Sequence, residues 1–137
     1  MDRIHVFLSV FDFEPAPPAL VSSVLGLEPT AAWSKGDAGH GGIPGVRRPF
    51  SAWQLMSPLP RTANFEDQLD ALLVILEAKA EAVHLATERF GAQITCAAYF
   101  DCVNPGFGLS AEHVARIAAL GLSLDFDLYC LGGADGW

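Results

Sequence analysis

In the segment from Leu124 to Tyr129, a period of two places Asp125, Asp127 and Tyr129 on one side of an extended chain. Leu124, Phe126 and Leu128 fall on the other. The two carboxylates then stand roughly 6.5 to 7 Å apart along the strand. Such a pair can hold a divalent cation through its oxygens, or divide into an acid and a base once their surroundings separate the two pKa values. The plainer reading is a solvated outer strand face, or a partner for Lys35, Arg47 or Arg48, because charged side chains are mostly exposed or paired. A second group is Trp33, Lys35, Asp37 and Arg48, with Trp53 beside them in a paired strand. Indole faces stack and cationic side chains bind anions, so this set reads as a site for a small acidic or sugar-like ligand at the base of a glycine-rich loop. The plainer reading again is structural, with aromatics pinning a hairpin while charges pair across it.

Other chemistries find less support. His5, His40, His84 and His113 are scattered, and no His-x-x-x-His or Cys-x-x-Cys spacing occurs, so no zinc site is expected. Cys96 and Cys102 share a strand face but lie about 20 Å apart along it, too far for one ion or one disulfide. With Cys130 they make an odd number, which reads as free buried thiols in a reducing compartment. The loop from Gly36 to Gly45 lacks the Gly-Lys-Ser/Thr ending of a phosphate-binding loop and leads into a strand. No Gly-x-Ser-x-Gly elbow is present, and Ser22 and Ser23 sit on a helical pattern. No cluster reaches a catalytic signature, so the reading leans away from an enzyme and expects neither metal nor cofactor.

The elements that must position these residues follow from periodicity. Ile4, Val6, Leu8 and Val10 alternate against His5, Phe7, Ser9 and Phe11, which predicts a first strand with one aliphatic and one mixed face. Pro18 can open a helix whose inner stripe is Leu20, Val21, Val24 and Leu25, and Gly26 ends it in a left-handed cap. Residues 31–36 and 50–56 are short aromatic-bearing strands of a broad hairpin. Asn64 caps a helical run through Phe65, Leu69, Leu72, Leu73 and Leu76 that resumes from Ala80 to Phe90, as one long helix or two joined near Glu77 and Ala78. A strand over 92–102, a helix capped by Ser110 and closed by Gly121, and a strand over 124–131 complete the chain, with 132–137 a short C-terminal tail.

The order β-α-β-β-α-β-α-β predicts a single α+β domain over residues 1–131, with a mostly antiparallel sheet, a ferredoxin-like core and the helices on one face. The opposite face then carries His5, Ser9, Trp53, Thr95, Tyr99 and Asp101 with the carboxylates of the last strand, and any binding surface is expected where the hairpin's Trp and basic residues approach them.

A chain of 137 residues with 51% hydrophobic and 18% charged residues is expected to fold around one core. Its net charge of −8 argues against nucleic acid and anionic lipid as partners and leaves a basic protein surface as one. No apolar stretch reaches the roughly 20 residues of a membrane-spanning helix. The N-terminus does not read as a signal peptide, so a cytoplasmic location is expected.

Leu25-Gly26-Leu27-Glu28-Pro29, Trp33-Ser34-Lys35-Gly36-Asp37, Arg47-Arg48, Ser51-Ala52-Trp53 and Asp125-Phe126-Asp127-Leu128-Tyr129, in this order and spacing, resemble a bacterial family known as domain of unknown function 4279. The resemblance spans nearly the whole chain and implies a small stand-alone cytoplasmic bacterial protein without an assigned reaction. Three functional expectations stand together. The first is a non-enzymatic, immunity-like module that covers a basic protein. The second is a small-molecule sensor or enzyme built from the hairpin and the two aspartates. The third is a structural homodimer.

Overall fold

The alternation of the first strand survives in three dimensions. In the computed structural model, which describes residues 3–39, 44–101, 103–104 and 106–132, β1 (Arg3–Phe11) buries Val6, Leu8 and Val10 and leaves His5, Phe7, Ser9 and Phe11 half-buried on its other face. It is followed by α1 (Pro18–Leu25), β2 (Ala31–Trp33), β3 (Ala52–Met56), α2 (Phe65–Glu77), α3 (Ala80–Arg89), β4 (Gly91–Phe100), α4 (Ala111–Ala119) and β5 (Ser123–Cys130). The helical run after Asn64 is thus two helices.

The strands form one sheet in the order β2-β3-β1-β4-β5. β2 with β3, β3 with β1, and β1 with β4 are antiparallel, whereas β5 runs parallel to β4. The sheet is therefore mixed, with three antiparallel pairs and one parallel pair. The cause is α4: a helical crossover returns the chain to the end of the sheet where β4 began, and two strands joined in that way run in the same direction. The domain is α+β, with five strands and four helices among the described residues.

Local chemistry explains why the helices start and stop where they do. Pro18 sits at the first turn of α1, where its missing N–H costs nothing, and the N–H of left-handed Gly26 closes the helix on the Ser22 carbonyl. The Asn64 side chain accepts from the Asp67 N–H at 2.8 Å and the Ser110 hydroxyl from the His113 N–H at 3.1 Å, so both predicted caps are in place. The helices bury Val21 and Leu25, then Leu69, Leu72, Leu73 and Leu76, then Val83 and Ala86, then Ile117. All join Val6, Leu8, Val10, Ile94 and Cys96 of the sheet in one core. Burial pushes the Cys96 thiol up to about 12, so at neutral pH it is a packing group rather than a nucleophile. Cys130 is disulfide-bonded, which corrects the expectation that it is a free thiol. Cys102 lies outside the described residues.

A polar lattice fastens α4 to α2. Arg116 forks onto Glu77 with bonds of 2.9 and 2.7 Å and reaches Asp70 at 3.0 Å, while the His113 ring meets the same Asp70 oxygen at 2.7 Å. The bond to His113, then Arg116, holds Asp70 below the ordinary carboxylate range, and Arg116 does the same for Glu77. Both carboxyls are depressed in the folded chain, so their contribution is present above the unfolded pKa near 4 and is lost as pH falls through the folded value. Partial exposure keeps it small. Urea midpoints measured from pH 6 down to 2 are expected to fall below about pH 4, and Arg116→Gln is expected to flatten that fall. An equally steep acid limb in the variant would remove this network as its cause.

Candidate functional site

The face of the sheet away from the helices carries two polar and aromatic groups, one at each edge. Strand register decides which side chains belong to it. Trp33 stands opposite Ala52, and Phe11 opposite Gly91, on the open face. Trp53 lies across from Val10 and Ala32 on the helix side.

At the β2 edge the hairpin between β2 and β3 closes over Trp33. The bonds from Gly36 N to Arg48 O and from Arg48 N to Asp37 O, both 2.8 Å, draw the two arms together beyond the strands. They fix the Arg48 side chain so that its guanidinium carbon lies 3.9 Å above the centre of the Trp33 ring. Asp37 spends its carboxylate inside the hairpin, accepting from the Ser34 N–H at 2.8 Å. The Lys35 backbone N–H is bonded to the Ser51 hydroxyl at 2.9 Å, and its side chain is exposed beside Glu14. Between Trp33, Arg48, Phe11 and Phe50 a cavity of about 530 Å³ opens to solvent, with Asp12 at its rim.

At the opposite edge, β5 carries Asp125, Asp127 and Tyr129 on the open face, as its alternation predicts. Tyr129 stacks on Tyr99 with ring centres 4.8 Å apart, and Arg3 lies over the other ring of that pair at 5.3 Å. The Tyr129 hydroxyl donates to Asp127 at 2.8 Å, and that bond raises the tyrosine pKa. Among the described residues no group of three His, Cys, Asp or Glu side chains converges as metal ligands would.

The two edge groups do not meet. Three strands separate β2 from β5, so about 19 Å of sheet width lies between the two edges, and the composite site expected from the sequence does not form. Trp53 is a second correction: it is fully buried in the core, and its indole N–H donates to the Ser22 hydroxyl at 3.0 Å. The alternation of Trp53 and Leu55 against Ala52 and Gln54 was the available signal for that inward position.

A third difference lies in β5 itself. Phe126 and Leu128 were expected to be inward, and they do share the face of Cys96 and Ala98. Yet they are 39% and 49% exposed, and Tyr129 on the other face is 43% exposed. Among the described residues, Phe65 and Phe107 alone approach Phe126 as aromatic neighbours, at 5.6 and 5.8 Å. Period-two patterning assigns a face but not its cover, so nothing in the sequence announced this strip. Phe11, Asp12 and Phe50, which complete the hairpin cavity, were missed because they come from a strand end and a loop that only the fold brings together.

No helix among the described residues is long and apolar enough to cross a membrane. A family model described as a domain of unknown function (DUF4279) matches residues 2–131. No curated protein and no solved structure matches the chain.

Proposed function

The chain belongs to this family of domains of unknown function, and from that premise we propose that it is a binding protein that takes an extended, basic segment of a partner protein along the free edge of β5. The observation that carries this reading is the exposure of that strand on both faces. Among the described residues β5 pairs with β4 alone, so its outer edge from Leu124 to Tyr129 offers backbone N–H and C=O groups to an added strand. An added strand satisfies those groups, and its alternate side chains meet Phe126 and Leu128 on one face and Asp125 and Asp127 on the other. Apolar residues alternating with lysine or arginine match both rows.

Charge favours a basic partner over a second copy of the chain. Antiparallel self-pairing centred on Phe126 would set each Asp125 across from the Asp127 of the other copy, and like charges directly opposite are unfavourable. The net charge of −8 adds long-range attraction for a basic surface. The immunity-like reading is the special case in which that surface belongs to a toxin.

The test uses a short synthetic peptide of alternating lysine and valine, with a glutamate-valine peptide as control. The lysine peptide is expected to slow hydrogen exchange along β5, and Asp125→Lys with Asp127→Lys is expected to weaken it by about tenfold or more. Protection elsewhere but not at β5, or equal binding of both peptides, would overturn the proposal. Sedimentation showing a dimer that dissociates in the double lysine variant would replace the basic partner with a second copy.

A further inference from the structure

We infer that the hairpin cavity at the other edge of the sheet is a separate site for a small carboxylate with an apolar body. It is independent of the β5 proposal, and it begins from the state of Arg48. The guanidinium carbon lies 3.9 Å above the centre of the Trp33 ring, so the indole covers one side of the group. Its Nε is buried yet has no hydrogen-bond acceptor, and among the described residues no carboxylate reaches ion-pair distance of it. A buried cationic donor without an acceptor costs the folded chain stability, and such a group calls for an explanation, such as a bound ion or water. The guanidinium is a rigid planar fork, the geometry that takes both oxygens of a carboxylate.

The rest of the cavity describes the ligand's body. Phe11 is seated across Gly91, where any Cβ would come within 2.3 Å of its ring, and Phe50 on the facing loop is 69% exposed. With Ala52 as a small floor, these rings form apolar walls in a cavity of about 530 Å³, within the size range of small-molecule sites. Asp12, held at a left-handed φ of 59°, stands at the rim. Its negative charge disfavours a dianion such as phosphate, so a single carboxylate is the anion selected. That carboxylate belongs to a free organic acid or to the C-terminus of a peptide ending in an apolar residue.

Nuclear magnetic resonance tests this through the Arg48 Nε–H and Trp33 indole N–H signals. Phenylacetate and a tripeptide ending in phenylalanine are the two carboxylate probes, with phenylacetamide and inorganic phosphate as controls. Saturable shifts of both signals with either carboxylate are expected, and the probe that binds more tightly identifies the source. Arg48→Gln is expected to weaken binding by about tenfold or more, and Phe50→Ala to weaken it while leaving the Arg48 signal in place. The Trp33 signal serves as the check that the hairpin of each variant is intact. No shift with either carboxylate, equal binding of phenylacetamide, or undiminished binding by a folded Arg48→Gln protein would overturn the assignment.

Discussion

Replacing Gln68 by leucine is expected to destabilise the domain by about 3 to 5 kcal/mol, although leucine has nearly the same volume. Gln68 is 2% exposed and replaces a stretch of missing β-ladder. Its Oε1 accepts from the Val6 N–H at 3.2 Å, and its Nε2 donates to the Ile4 carbonyl at 2.8 Å and the Ala63 carbonyl at 2.9 Å. The register of β1 with β3 ends at Phe7 and Met56, so the backbone of β1 beyond that point needs another partner. Leucine leaves three backbone groups without that partner, each worth about 1 to 3 kcal/mol when buried. A neighbouring open cavity beside Ile4 and Arg61 can admit water to some of them, which keeps the total below the arithmetic maximum. Urea unfolding is expected to show a lower midpoint with an unchanged slope. Gln68→Glu keeps the acceptor but loses the two donor bonds, and it is expected to be destabilising most strongly at pH values where the buried carboxyl ionises. A leucine variant as stable as the parent would mean that the β1 backbone finds other partners.

Substitution of the two hairpin tryptophans, Trp33 and Trp53, is expected to separate their roles. Trp53→Ala is expected to cost about 3 to 5 kcal/mol, because it empties a large fully buried site. It also removes the N–H that satisfies the Ser22 hydroxyl, and so loosens α1 from β3. Trp33→Ala, on a half-buried edge position, is expected to cost about 1 kcal/mol or less while releasing the Arg48 guanidinium from its stack. Equilibrium unfolding of both variants, with carboxylate binding measured on Trp33→Ala, checks the contrast. The reverse ordering of stabilities would place Trp53 on a surface after all.

The contrast between the tryptophans explains how far the sequence could be read. The caps at Asn64 and Ser110, the left-handed glycines 26 and 121, and the alternation of β1 depend on residues within a turn or two of one another, so they were legible. Trp33 and Trp53 look alike as residue types, and they are twenty positions apart in one hairpin. Their opposite fates follow from register: with Trp33 across from Ala52, the next residue must point to the other side.

The same distinction divides the two aspartates from the hairpin. That Asp125 and Asp127 share a strand face is a two-residue fact, and the sequence by itself determined it, as it determined the α+β class and the acidic charge. That β5 takes the outer edge beside β4, away from Trp33 and Arg48, was decided only by strand order. Strand order is set by which distant surfaces bury the most apolar area and by the crossover of α4, quantities that no local spacing encodes. Tertiary structure alone also left Phe126 and Leu128 half uncovered, because a residue's alternation chooses its side of the sheet while the neighbouring elements determine its cover.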